Sequence, residues 1–532
     1  MTPGMPDRLT GAQLVSAGRA AAVTPHFLAS QAAIDVLADG GNAADAAIAA
    51  NATLGVVAPE SCGVGGDLFA LIHTQGIARP HALNSSGRAG TGATVDAVRQ
   101  AGHNIVPIES PFSVTVPGCV DGWEAIAARH GSLPLSRLLS RAIEHATNGF
   151  PASPELAGSL SRFEAVLRSQ PASLGLYPKE RPPRPGESVT RPGLAKTLGS
   201  IARSGRDAFY TEEVGDNIIA ATRGVLNAND LAKIQARWIN PISLDIMGWT
   251  GWTIPPNSQG YLTLASAWLF ERLDPPHDPE HPSFTHAAIE SFRALAWERD
   301  DLVADARFAP MPAGELVAPS RLEQRLNRIS MDRRTEWPVP APAPGGTAYL
   351  CVRDAQGMGV SLIQSNFHGL GSRIGAGNSG FFLHDRGSGF TLESGHPNQL
   401  APGKQPLHTL SPSLWTNDGD LAMLLGTRGG DFQPQTLLQM LTYLRWGDMD
   451  AAAAQLLPRW TTEEWRQGST TIAYEPHFDG SVPTDLDRRG HTTKASPGWM
   501  SGWGPVSVIT GEQEAVRGAA DPRGAATTAL GL

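Results

Sequence analysis

Pro344-Gly345-Gly346-Thr347-Ala348-Tyr349-Leu350-Cys351-Val352 is the stretch on which the reading of this chain turns. A proline-rich run, Pro338-Val339-Pro340-Ala341-Pro342-Ala343-Pro344, enters it; such a tract is expected to be extended and mobile, suited to a chain break or to an ordinary linker. Beyond Gly346 the pattern becomes that of a strand. A cut before Thr347 would leave a threonine that carries a hydroxyl nucleophile and a free α-amine on one residue, a known way to activate a weak nucleophile. The amine's ordinary pKa of about 7.7–8.0 suits a general base near neutral pH. The alternative is plain: threonine is a good strand residue and needs no catalytic reason to stand here.

Outward from this junction, Ala348–Val352 and Val360–Gln364 flank Asp354-Ala355-Gln356-Gly357 and predict a hairpin. Leu421–Leu425 reads as another apolar strand, ending at Gly426-Thr427-Arg428-Gly429-Gly430, with a helix over Gln435–Trp446. Toward the N-terminus, Ser30–Leu37 reads as a helix stopped by Gly40-Gly41, and Asn42 as the N-cap of an alanine-rich helix over Ala43–Leu54. That second helix carries little charge and is expected to be buried rather than amphipathic. The loop Ser61-Cys62-Gly63-Val64-Gly65-Gly66-Asp67 then leads into a strand over Leu68–His73, with no dinucleotide or Walker pattern. Residues 113–150 read as a strand, a Val116-Pro117-Gly118 turn and helices. Residues 170–190 read as a surface excursion and Thr253–Gly260 as a loop into a helix. Ala287–Val303 reads as one helix, and periodicity is lost over Pro310–Pro344. Strands bracketed by helical blocks suggest a layered sandwich.

The 532 residues, 41% hydrophobic and 17% charged, suit a globular protein with a large core. A formal net charge of −9 without a basic run argues against nucleic acid as partner. The three cysteines, Cys62, Cys119 and Cys351, form neither a disulfide framework nor a metal pattern, and the 15 histidines show no paired ligand spacing, so no metal or cofactor is expected. No signal peptide or membrane-spanning stretch is visible, which predicts a cytoplasmic protein with no membrane partner.

In order and spacing, Gly40-Gly41-Asn42-Ala43-Ala44-Asp45-Ala46-Ala47, Gly63-Val64-Gly65-Gly66, Val116-Pro117-Gly118, Pro255-Pro256-Asn257-Ser258-Gln259-Gly260, Leu407-His408-Thr409-Leu410-Ser411-Pro412, Gly426-Thr427-Arg428-Gly429-Gly430 and Asp521-Pro522-Arg523-Gly524 resemble the landmarks of the γ-glutamyltranspeptidase family of N-terminal-nucleophile hydrolases. The resemblance implies an α+β fold, a four-layer αββα sandwich. It also implies self-cleavage between Gly346 and Thr347 into a large subunit, residues 1–346, and a small one, residues 347–532. The two would stay associated within one composite domain. Thr347 resembles the nucleophile, Gly429 and Gly430 the oxyanion pair, and Ser365 the hydroxyl that orients the nucleophile. Backbone N–H donors preorganised for developing negative charge make chemical sense of the glycines.

The chain departs from the family where γ-glutamyl enzymes grip the substrate's α-carboxylate and α-amine. The arginine position falls at Ser86, with Arg88 two residues on. The paired serines become His408 and Thr409, the acidic pair becomes Ser388 and Gly389, and the asparagine falls at Phe367 beside Asn366. A buried ammonium without a carboxylate is unfavourable. Ile363-Gln364-Ser365-Asn366-Phe367 and Gly429-Gly430-Asp431-Phe432-Gln433-Pro434-Gln435 resemble the divergent, acylase-like and amidohydrolase branch of the family, which implies an amide hydrolase or acyltransferase. Its small-molecule substrate would be a γ-glutamyl amide or a related anionic acyl amide, such as a dicarboxylic monoamide, held by Arg88, Asn366, Arg386, His408, Thr409 and Arg428. An authentic glutathione hydrolase and an uncleaved binding protein are the alternatives.

Overall fold

In the computed structural model, residues 15–338, 346–462, 470–511 and 515–532 are described. Most of the proline run, residues 339–345, lies outside them.

The strand that begins at the decisive junction, Gly346–Arg353, alternates cleanly. Leu350 and Val352 join one apolar cluster, while Tyr349 and Cys351 join another. That period of two is what a strand buried on both faces requires. It belongs to a seven-stranded antiparallel sheet in the order Thr528–Gly531, Ala21–Thr24, Gly346–Arg353, Gly359–Phe367, Asp67–His73, His81–Ser85, Arg237–Ile239. A second seven-stranded antiparallel sheet runs Val15–Gly18, Val516–Ala520, Val506–Thr510, Asp420–Thr427, Ser413–Asn417, Trp249–Thr253, Ile242–Ile246. Between them lies a core that includes Phe69, Leu71, Tyr349, Ile363, Leu414, Leu424 and Ile509.

Helices cover both outer faces. Phe27–Ala38 and Ala43–Val57 pack with the first sheet. Asn42 caps the second of these in a reciprocal capping box with Asp45, and every residue of the helix is buried. Tyr261–Leu273, Pro282–Ala296 and Gln433–Arg445 pack with the second sheet. The architecture is the four-layer αββα sandwich. Both sheets take strands from each side of the Gly346–Thr347 bond.

Three local expectations change. The helix expected over Ala287–Val303 is two, Pro282–Ala296 and Arg299–Leu302, because the chain is redirected to bury Arg299 against Asp431. A helix, Pro319–Leu326, forms where periodicity was lost. The strand expected near residue 113 reduces to a single bridge, Ala89 with Thr115. The three cysteines are free and buried. Among the described residues no helix is long and apolar enough to cross a membrane.

Candidate active site

Thr347 sits at a register shift. Gly346 pairs with Phe367 and Ala348 with Gln364, so Ser365 and Asn366 together oppose Thr347. A bulge of this kind re-aims side chains at the end of a ladder. The Thr347 hydroxyl, buried, donates to Ser365 Oγ at 3.3 Å and accepts from Gln433 Nε2 at 3.5 Å. Ser365 Oγ also accepts from the Phe367 backbone N–H at 2.7 Å. Phe367 has φ of +74°, a strained value for a bulky side chain, held by the packing around it.

Gln433 opens the helix that follows Gly429 and Gly430. These glycines have φ of +122° and +56°, which only glycine adopts readily. Gln259 braces the loop: its Nε2 donates to the carbonyls of Gly430 and Thr409, both at 3.0 Å. Its Oε1 in turn accepts from Arg299 at 2.6 Å, and Arg299 is ion-paired with Asp431. Gln433 Oε1 accepts from the Ser411 N–H at 3.0 Å, which ties the Leu407–Pro412 segment to the same centre.

Arg386 lies on the other side of Ser365. It is fully buried; its guanidinium donates to Thr409 Oγ1 at 3.2 Å and Ser365 Oγ at 3.5 Å, and stacks 3.7 Å from the Phe367 ring centre. Burial pulls its pKa down to about 10, against the pull of Asp67, Asp385 and Asp431, so it stays charged at neutral pH. His408, also fully buried, contacts Asp67 Oδ2 through Nε2 at 3.0 Å. Burial and then Arg386 push His408 down to about 3, so the ring is neutral. Burial alone would raise Asp67; His384, 3.6 Å away, the His408 hydrogen bond and the Gly87 N–H at 2.9 Å hold its carboxyl below the usual range.

The structure gathers Thr347, Ser365, Arg386, Thr409 and His408 into one cluster. Asn366 stands beside it, its N–H donating to the Ser61 carbonyl and its Nδ2 to the Pro59 carbonyl, with Oδ1 left without a partner among the described residues. Arg88 and Arg428 turn elsewhere. Arg88 donates to Gln235 Oε1 at 3.0 Å, and Arg428 reaches the Ser501 carbonyl at 3.5 Å. The carboxylate nearest in sequence to the missing acidic pair, Asp385, is taken by the N–H and Nδ1 of His368 at 3.0 and 2.5 Å. Sequence reasoning missed Gln433, Gln259, Arg299 and Asp67 as members of the site. Gln259 and Asp67 lie inside motifs already singled out, but a glutamine or aspartate does not announce its hydrogen-bond partner from spacing.

The arrangement suits acyl transfer: a buried hydroxyl between two hydrogen-bonding side chains, a glycine turn beside it and a buried cation for an anionic group. Comparison with known proteins agrees with that class. The gamma-glutamyltranspeptidase family model matches residues 29–531. The glutathione hydrolase-like YwrD proenzyme of Bacillus subtilis strain 168 is 34% identical over 514 residues, covering 94% of this chain and 96% of that protein. The oxamate amidohydrolase proenzyme of Klebsiella pneumoniae is 32% identical over 515 residues, covering 94% and 96%. The crystal structure of a cephalosporin acylase from Bacillus halodurans superposes with a TM-score of 0.90 at 30% identity, covering 100% of this chain and 99% of that one.

Proposed function

Because the chain belongs to the gamma-glutamyltranspeptidase family and is an enzyme of its amidohydrolase and acylase type, we propose that it is an autoprocessing amide hydrolase or acyltransferase working through an acyl-enzyme on Thr347. The observation that carries this reading is the placement of the Thr347 hydroxyl between Ser365 and Gln433, at the head of the helix that follows the Gly429-Gly430 turn. The printed names of two relatives, both proenzymes, are consistent with maturation by cleavage.

In the uncut chain the Thr347 nitrogen is an amide. The hydroxyl attacks the Gly346 carbonyl and the acyl group moves from nitrogen to oxygen, breaking the C–N bond and freeing the α-amine; water then hydrolyses the ester, leaving a carboxylate on Gly346 and restoring the Thr347 hydroxyl. Because both sheets mix strands from the two sides, the subunits stay together. In turnover the α-amine takes the hydroxyl proton as Thr347 attacks a substrate amide. The Gly429 and Gly430 N–H groups stabilise the oxyanion, and the amine leaves with the proton. Water or an amine then releases the acyl group. Ser365 and Gln433 hold the hydroxyl in line. Arg386 and Thr409 take the anionic end of the acyl group. With Ser388 and Gly389 at the acidic-pair positions and Asp385 committed to His368, an amine-free acyl group is favoured over a γ-glutamyl one.

The test is intact mass followed by a substrate panel. The wild type should yield two chains that sum to 56.2 kDa plus one water, and the small chain should gain the acyl mass when quenched during turnover. Glutaryl-p-nitroanilide should be cleaved faster than γ-glutamyl-p-nitroanilide; the reverse order would return the chain to the glutathione hydrolases, and an uncut chain would remove Thr347 as nucleophile.

A further inference from the structure

His408 and Asp67 form a pair whose geometry specifies more than burial. An ionised carboxylate only accepts hydrogen bonds. Asp67 Oδ2, 3.0 Å from His408 Nε2, therefore requires the proton on Nε2. Asp67 cannot swing away, because Oδ1 holds the Gly87 N–H at 2.9 Å and the residue is fully buried at the start of strand Asp67–His73, where it pairs with Ser365. The neutral imidazole then has one lone pair, on Nδ1, and that atom is buried with no hydrogen-bond partner among the described residues. Phe69 closes one side of the ring in an edge contact at 4.8 Å. Arg386 Nε is likewise buried without a partner among the described residues, and Arg386 lies near enough to His408 to push its pKa down, so the cluster holds an open donor on a cation and an open acceptor on a neutral ring. Buried polar atoms are almost always satisfied, and a pair left open in a binding cluster asks for a ligand carrying the complement of both.

We propose that Asp67 is a positioning residue that locks the His408 tautomer, so that Nδ1 accepts from the bound acyl group and the site selects acyl groups bearing a neutral hydroxyl or N–H beside their anionic end. This rests on the acyl-transfer reading above and names its substrate class: amides of 2-hydroxy or 2-acylamino dicarboxylic acids. The donor is neutral rather than an ammonium because Arg386 occupies the same cluster as a buried cation and the adjacent carboxylates, Asp67 and Asp385, are already engaged. It also separates His408 from Arg386: a ring that presents a lone pair repels a carboxylate, so the anionic end belongs to Arg386 and Thr409 alone.

Two measurements test this. In purified wild-type protein labelled with 15N-histidine, His408, assigned by its loss in His408→Asn, should show a protonated Nε2 and an unprotonated Nδ1. Asp67→Asn, whose amide can donate to Nε2, should convert His408 to the other tautomer or a mixture. A protonated Nδ1 in the wild type, or an unchanged His408 in Asp67→Asn, overturns the positioning role. Should Asp67→Asn fail to fold, the wild-type spectrum still decides which nitrogen carries the proton. The second measurement compares the 5-p-nitroanilides of 2-hydroxyglutarate and glutarate: kcat/KM should favour the hydroxy acid by about 100-fold or more, as for a site built around a substrate hydroxyl. Asp67→Asn should erase most of that ratio, which is read within one variant so that any general loss of rate cancels; a ratio kept in Asp67→Asn overturns the positioning role. Equal rates overturn the selectivity. If neither amide is hydrolysed, the acyl-transfer reading fails, and calorimetric binding of 2-hydroxyglutarate against glutarate still decides the pocket.

Discussion

Thr347 and Arg386 both reach Ser365, yet their surroundings are built from different materials. The direct side-chain partners recorded for the Thr347 hydroxyl, Ser365 and Gln433, are uncharged, and the glycine loop beside them is braced by the amide of Gln259. Arg386, His408, Asp67, His384 and Asp385 crowd the other half with buried ionisable groups. Groups that reorient a hydroxyl need geometry but no net charge, whereas groups that choose an acyl anion act through charge in a low-dielectric interior. On the proposed roles, one nucleophile half can serve different acyl halves, in keeping with relatives named for glutathione, oxamate and cephalosporin.

The largest break comes from removing the proposed nucleophile. Thr347→Ala should abolish cleavage and lower turnover by at least about 10⁴-fold, leaving one chain of 56.2 kDa less the mass of CH₂O on an intact-mass spectrum. A cleaved mutant would assign the chemistry to another residue. Arg386→Met comes next. It should spare autoprocessing but raise KM for anionic acyl amides by about 100- to 1,000-fold, the scale for truncating one member of a buried charged set. Neutral acyl amides should lose little. Arg386→Lys should recover only part, because the guanidinium uses two nitrogens and a flat face on Phe367. Equal losses for neutral and anionic amides would erase the division between the halves.

Gln433→Ala sharpens the other half. Losing one neutral hydrogen bond to the nucleophile should lower kcat by about 10-fold, in line with ~1–1.5 kcal/mol, with KM nearly unchanged. Steady-state kinetics on a single amide decide it: a KM effect of equal size would move Gln433 into acyl binding.

The same division explains what could be read in advance. The first sheet's hairpin follows from short apolar runs bounded by turn residues: Ala348–Val352 and Val360–Gln364 about Asp354-Ala355-Gln356-Gly357 read as paired strands before any coordinate is known. The capping box at Asn42 is likewise a local signal. The break at Trp297 was not visible, because burying Arg299 on Asp431 is a contact across 132 residues, and periodicity sees only neighbours. Thr347 drew attention through its junction, whereas Ser365, Gly429 and Gly430 were singled out only by the family resemblance, because a strand serine and a glycine turn look the same with or without a site. Asp67 was not singled out, since its meaning lies in His408, 341 residues away. Arg88 and Arg428 looked equivalent to Arg386 as charges in a string, but direction separates them: Gln235 and Ser501 take the first two.

The smallest expected effect concerns an acid behind the nucleophile half. Glu60 lies in the Pro59–Ser61 turn whose carbonyls hold Asn366, and with Arg428, His26 and Glu155 it lines a small cavity. Burial, and then Glu155, raises its carboxyl to about 8, with its own backbone and Arg428 pulling the other way. Its Oε2 has no hydrogen-bond partner among the described residues. In the unfolded chain the same carboxyl titrates near 4.3. Below that pH both states are protonated and Glu60 adds no pH-dependent strain. As pH rises through 4.3 the unfolded chain loses its proton first, so the folded state is progressively disfavoured until the folded carboxyl ionises near 8. Glu60→Gln mimics the protonated acid at every pH. Its melting temperature should match the wild type at about pH 4.5 and exceed it by on the order of 2–5 °C at about pH 8.5. Parallel melting curves across that window would mean that Glu60 is ionised in the folded protein, and the nucleophile half would then carry a charge of its own.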